Sequence, residues 1–138
     1  MTGTFLFKIA KTVECVHYPE AKAVVAIWES LSTPQCVEAI ERGSDECRRL
    51  GARSWIVDLT RDPGVPSQQD LAWMQTDAVE LAKKNGVRAV INVHGSSAIA
   101  KAGSKRWSKG ASAGGLTTYD CTSLADALAL AAEVAQDD

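Results

Sequence analysis

The chain has 138 residues, of which 46% are hydrophobic and 23% charged, with a formal net charge of −2. That length holds one domain with a proper core and no second one, and the composition excludes a largely disordered chain. The charge balance supplies no global basic field for nucleic acid or an acidic membrane, and no apolar run approaches the ~18 residues of a spanning helix.

From the amino end, Met1 to Lys8 has no basic leader and too short an apolar segment for a signal peptide, so a cytoplasmic protein is expected. Thr4 to Val16 carries Phe5, Phe7, Ile9, Val13 and Val16 in loose alternation, which reads as an edge strand or a bent pair. Pro19 makes Tyr18–Lys22 a turn, and Ala23–Glu29 is a second strand placed to pair with the first as an antiparallel hairpin. Ser32 or Thr33 is set to cap a first helix, with Pro34 in its first turn. Its inward stripe is Cys36, Val37, Ile40, Gly43, Cys47 and Leu50, and Gly51 should stop it.

The phrase from Arg53 to Val93 carries most of the fold. Arg53–Leu59 is a short run of β-formers, and a polar loop with Pro63 and Pro66 follows. A helix from Ser67 comes next, with Asp70 three residues on and an inward stripe of Leu71, Met74, Ala78, Leu81 and Ala82. Lys83, Lys84, Asn85 and Gly86 close it, and Val87–Val93 is another strand. Strand, helix, strand in this order implies a parallel pair with a right-handed crossover. Gly95–Gly115 is rich in Gly, Ala, Ser and Lys, with Ile99 and Trp107 as its large apolar anchors. It reads as a helix, a lid or a disordered loop. Leu116–Tyr119 is a last short strand, Ser123 caps a closing helix, and Asp137–Asp138 should fray. The expected order is β-β-α-β-α-β-(α)-β-α, an α/β domain over residues 1–138 with a mixed four- to five-stranded sheet packed by helices.

The four cysteines (Cys15, Cys36, Cys47, Cys121) show no Cys-x-x-Cys pair and no histidine at zinc spacing. Cys36 and Cys47 fall on one helix roughly 16 Å apart along its axis, too far to bridge. Free buried thiols are expected, with no metal and no cofactor.

The order of elements resembles the STAS-like fold of bacterial anti-sigma-factor antagonists and of related stand-alone STAS-like proteins. The phrases that carry the resemblance are Tyr18-Pro-Glu, Ala26-Ile-Trp-Glu29, Trp55–Leu59, Gln69-Asp-Leu-Ala-Trp73 and Tyr119–Ala127, nearly the whole chain. It implies a non-enzymatic regulatory module that binds a protein partner. It also implies a phosphorylated serine at the start of the helix after the third strand, which is Ser67 here. The family motif is Asp-Ser-x-Gly, whereas this chain reads Pro66-Ser67-Gln68-Gln69. A phosphate would meet free N–H groups and the dipole at that helix start, and Ser67 serves equally as a plain N-cap. Lipid-binding relatives of the topology imply a second reading, a small-molecule carrier or sensor for a lipid-like or nucleotide ligand held between sheet and helices.

The candidate site residues lie where open α/β sheets place ligands, at the carboxyl ends of strands. Asp58, Thr60, Arg61 and Asp62 end one such strand, and His94, Ser96 and Ser97 end the next. Asp58 could equally cap loop amides, and Arg61 with Asp62 could be a solvated pair. If residues 97–109 are helical, Lys101, Lys105 and Lys109 stack on one face beside Arg106, a cationic ridge for an anion or an acidic partner. Trp107 would anchor that helix. Trp73 falls off the inward stripe of its own helix, covered by the Pro63–Pro66 loop or belonging to a partner or homodimer surface. No nucleophile frame surrounds His94 or the His17–Cys15 pair, so His94 and Asp58 support only a residual enzyme reading. The reading is a binding module for a protein partner or small anionic ligand, using Asp58, Thr60, Arg61, Ser67, Trp73, His94, Lys101, Lys105, Arg106 and Trp107.

Overall fold

The computed structural model describes residues 1–136, apart from the side chains of residues 99 and 100. The expected fraying of Asp137–Asp138 and the anchoring role of Ile99 therefore lie outside the described residues.

Six strands lie in one sheet in the order in which they occur in the chain: β1 (Thr4–Ile9), β2 (Val13–Tyr18), β3 (Ala23–Trp28), β4 (Ser54–Asp58), β5 (Ala89–Val93) and β6 (Thr117–Cys121). Strand β2 pairs antiparallel with β1 on one side and β3 on the other, and β3 to β6 run parallel. The expected neighbours β4 and β5 pair side by side in register, from Ser54 opposite Ala89 to Asp58 opposite Val93. The four- to five-stranded expectation falls short because the amino-terminal segment is a hairpin of two full strands. Its turn contains no glycine or proline. Lys11 takes the left-handed conformation (φ 63°), and the fully buried Thr12 locks it. The Thr12 carbonyl accepts from the amides of Glu29 and Ser30 (2.8 and 3.2 Å), and its hydroxyl meets Thr33 Oγ1 at 2.8 Å.

Helices α1 (Cys36–Leu50), α2 (Gln68–Gln75), α3 (Asp77–Lys84) and α4 (Ala98–Ala113) cover one face of the sheet. Helix α5 (Leu124–Gln136) covers the other, packing Ala127, Leu128 and Ala131 on Val25, Ile56, Ile91 and Val93. Burial on both faces explains why β4 and β5 read as continuous apolar runs. Each fully buried Ile, such as Ile56 or Ile91, contributes about 1.5–3 kcal/mol.

Two local expectations are corrected, and an alternative left open is resolved. Helix α1 begins at Cys36 with Gln35 in the cap position and no side-chain cap. The Thr33 hydroxyl is engaged by Thr12 instead. The single helix expected from Ser67 to Lys84 is two helices broken at Thr76 (φ −124°, ψ −79°). The Thr76 hydroxyl donates back to the Ala72 carbonyl at 2.8 Å and so cannot cap α3. The Gly-rich stretch is the 16-residue helix α4. Its glycines serve close packing: a methyl placed on Gly110 would lie 2.6 Å from Gln75 Cβ and 2.7 Å from the Gln75 carbonyl oxygen. Only a missing side chain lets α2 and α4 approach this closely.

All four cysteines are free, and three are buried. Burial, reinforced for Cys15 by the neighbouring Cys47, pushes the thiols of Cys15, Cys36 and Cys47 up to about 12. Burial also raises Cys121, to a lesser degree of enclosure. Burial and the nearby Arg49 lower His17.

Gly110→Ala should lower stability by about 1–3 kcal/mol despite alanine's better helix propensity, because the clash is with main chain. The exposed control Lys109→Ala should shift it by less than about 0.5 kcal/mol, both read from urea midpoints. The thiols give a second expectation. The folded protein retains protons that an unfolded chain loses near the ordinary thiol value of 9.0, so their stabilisation is complete below pH 9 and lost as pH rises towards about 12. Alkylation at pH 9 should modify Cys121 alone in the native protein and all four cysteines in denaturant. Native labelling of Cys36 or Cys47 would contradict the packing of α1.

Candidate functional site

Strand β5 leaves the sheet to α4 on one face, while its neighbour β6 leaves to α5 on the other. Connections that diverge in this way open a crevice at the carboxyl ends of the strands. A cleft of about 500 Å³ lies one strand over, between the loops that follow β4 and β5, lined by Thr60, Asp62, Pro63, Gly64, His94, Ser96, Ser97 and Ala98. The volume falls within the range of small-ligand sites.

The floor is His94, buried at 4% exposure just past the end of β5. Its amide continues the ladder by donating to the Cys121 carbonyl (3.1 Å). Its Nε2 donates to Asp120 Oδ1 at 2.6 Å, and Asp120 is half-exposed at the end of β6. Ser104 of α4 lies against the imidazole, 3.1 Å from Nε2 and 3.4 Å from Nδ1, and its hydroxyl donates to the Lys101 carbonyl at 3.1 Å. The trio contains the residue types of an acyl-transfer triad but not its geometry. Acid and hydroxyl both approach Nε2, where a relay places them on opposite ring nitrogens, and Ser104 is 1% exposed.

The other wall is the loop after β4. Asp58, 7% exposed, accepts from the Thr60 amide (2.9 Å) and the Thr60 hydroxyl (2.7 Å). It therefore acts as the cap of this turn, and Thr60, not Asp58, lines the cleft. Arg61 is turned to the sheet edge, where it pairs with Glu29 at 3.6 Å, a carboxylate it shares with Lys8. The third side is α4, whose first residue, Ala98, lines the cleft.

Helix α4 is fixed over β5 by a buried polar clamp. Asn92, fully buried, accepts from Trp107 Nε1 (3.0 Å) through Oδ1 and donates through Nδ2 to Ser108 Oγ (3.0 Å). Trp107 is thus an interior anchor, as expected of the helix, and not a surface contact for a partner. Lys101, Lys105, Arg106 and Lys109 are exposed on the outer side of α4, and none makes an ion pair within 4.0 Å among the described residues. The Arg106 carbonyl accepts from Gln75 Nε2 at 2.7 Å. Ser67 is exposed and caps α2, accepting from the Asp70 amide at 3.1 Å. Trp73 is half-buried and packs on the core beneath α1–α4.

The structure brings Thr60 and His94 together with Ser96 and Ser97. It leaves Arg61, Ser67, Trp73 and Trp107 outside the cleft. Sequence reasoning missed Asp120, Ser104 and Asn92. Asn92 was detectable as the one polar residue inside the apolar strand Ala89–Val93. Asp120 is the penultimate residue of β6, one short of the terminal position that Asp58 holds in β4, and a search of strand ends could have flagged it. Among the described residues no group of three or more His, Cys, Asp or Glu side chains is arranged to hold a metal ion. No helix among them is long and apolar enough to cross a membrane. No protein-family model matches the chain, and no curated protein or solved structure matches it.

Asn92→Ala leaves the buried Trp107 N–H without an acceptor, which costs about 1–3 kcal/mol beyond the lost packing. Faster amide exchange should then be concentrated in α4, and protection confined to its wild-type level there would show that the clamp does not hold the helix.

Proposed function

We propose that this chain is a non-catalytic, STAS-like binding module that holds a small anion in the crevice between the Thr60–Gly64 loop and the start of α4. The observation that carries the reading is the cleft itself: it opens at the carboxyl ends of β4 and β5, between the loops that follow them, and a buried imidazole forms its floor. Ser96 brings a hydroxyl group able to donate to an oxyanion, while the Thr60 hydroxyl is spent on Asp58 and only its side chain shapes the wall. The amino end of α4 adds backbone N–H groups and the positive end of its dipole, which favour negative charge. Asp62 is the one carboxylate in the lining, and it is exposed. Its repulsion is screened by solvent, whereas the cations of α4 stand on the same helix, Lys101 in its first turn. These side chains raise the local concentration of anions without needing to touch the ligand.

This reading also assigns His94 a non-catalytic task. Held by Asp120, its ring forms a rigid floor, and the enclosed Ser104 supports it from behind. Nothing in this arrangement presents a nucleophile to the cleft.

Titration of the protein with inorganic phosphate, sulfate and acetate should shift the amide resonances of residues 60–64 and 94–98 in NMR spectra. Lys101→Glu with Lys105→Glu should weaken the effect about five- to tenfold at low salt, and less at high salt, as expected for exposed charges. Silence of these amides towards all three anions would refute the anion site.

A further inference from the structure

A second cavity lies on the opposite side of α4 from the solvent, and it shares no residue with the crevice. It occupies about 90 Å³ between the sheet and helices α1, α3 and α4. Its walls include three of the four tryptophans, Trp28 from β3, Trp55 from β4 and Trp107 from α4, with Ala78, Ala82 and Ala111 on the helices above them. Protein interiors pack densely and leave few spaces larger than a water molecule, so a space of this size beneath three indoles calls for an explanation.

The sequence creates it. The Trp55 ring is pressed against Gly43 of α1, where a side chain would collide with it, and the Trp107 ring is tied to Asn92. Two large flat rings are thereby held in place, and the alanines facing them are too short to fill what remains. The chemistry of the lining is equally restrictive. Among the described residues its one hydroxyl side chain is Ser44, which accepts from Asn85 Nδ2 at 2.8 Å. The Trp107 N–H is spent on Asn92. No charged residue lines the space. A water molecule needs two to four polar partners, and the lining offers at most the Ser44 O–H.

We propose that this cavity is a binding site for a small, neutral aromatic molecule of about one ring. A single ring matches the flat indole walls, gains offset or edge-to-face contacts with them, and needs no hydrogen bond. The size excludes an acyl chain or a nucleotide. The carrier expected between sheet and helices is thereby narrowed to a compact apolar ligand. Ile40 on α1 and Ala78 and Ala82 on α3 are only half-buried, which puts the mouth between these helices. This site is independent of the proposed anion crevice, and either can fail alone.

The test uses iodobenzene, whose heavy atom quenches indole emission on contact. Titration of the whole chain should give saturable quenching, unaffected by inorganic phosphate, together with an upward shift of the melting temperature. Ala111→Leu, which extends a side chain into the cavity, should weaken binding about tenfold or more. Should that variant lose its far-ultraviolet circular dichroism, Ala82→Met at the mouth supplies the same reading. Quenching that rises linearly with concentration, and equally in wild type and filled variants, is collisional and overturns the proposal. Competition by phosphate overturns it too, because the two sites share no residue.

Discussion

Between Lys101 and Ala113 helix α4 has one large apolar side chain, Trp107, and hydrogen bonds do what aliphatic packing does elsewhere. Both functional groups of the Asn92 side chain are satisfied from α4, the carbonyl by the Trp107 indole and the amide by Ser108. A buried amide satisfied on both sides specifies a single docking, because sliding or rotating the helix would strand polar atoms in the interior. Everything at the carboxyl end of the sheet inherits its position from that contact. His94 lies two residues beyond Asn92 on the same face of β5, and Ser104 lies about one turn before Trp107 and Ser108, so the clamp brings Ser104 onto the imidazole. The amino end of α4 is then delivered to the mouth of the crevice.

The same helix separates packing from surface charge by its two sides. Gly103, Trp107, Ala111 and Gly114 lie on the inward stripe, against Val65, the sheet and Val79. Lys101, Lys105 and Lys109 recur at four-residue steps on the opposite side and face water. Substituting the cations therefore touches the electrostatics of the crevice and leaves the packing alone. Substituting a glycine does the reverse, because each is a point where another helix or side chain approaches the backbone.

The parallel core was legible in the sequence because burial on both sides demands continuous apolar strands, and Trp55–Leu59 and Val87–Val93 are such runs. Capping chemistry placed the starts at Ser67 and Ser123, which accept from the amides of Asp70 and Asp126. It failed at Thr33 and Thr76, where the hydroxyl found a tertiary or backward partner that no local rule can foresee. The hairpin at Lys11 was hidden because its turn depends on the burial of Thr12 and not on a glycine or proline. Helix α4 was the hardest element to read. Glycine and serine lower helix propensity, and the compensation comes from α2, outside its own sequence window. In the crevice, Thr60 and His94 were found by their position at strand ends, whereas Asp58 and Arg61 met that rule and were claimed by nearer partners, Thr60 and Glu29.

The two proposed sites touch one helix, the crevice at its amino end and the cavity beneath its inward face. Trp107 walls the apolar cavity and, through Asn92, belongs to the strand that carries His94. Physical connection is not energetic coupling, which requires an element with two discrete arrangements that both ligands bias. The clamp argues against such an element in α4. A displacement of the helix by even half an ångström would stretch two 3.0 Å hydrogen bonds in a dry interior. The crevice and the cavity are therefore read as separately filled sites held apart by a rigid helix. An anion on one side should leave the affinity of an aromatic molecule on the other unchanged.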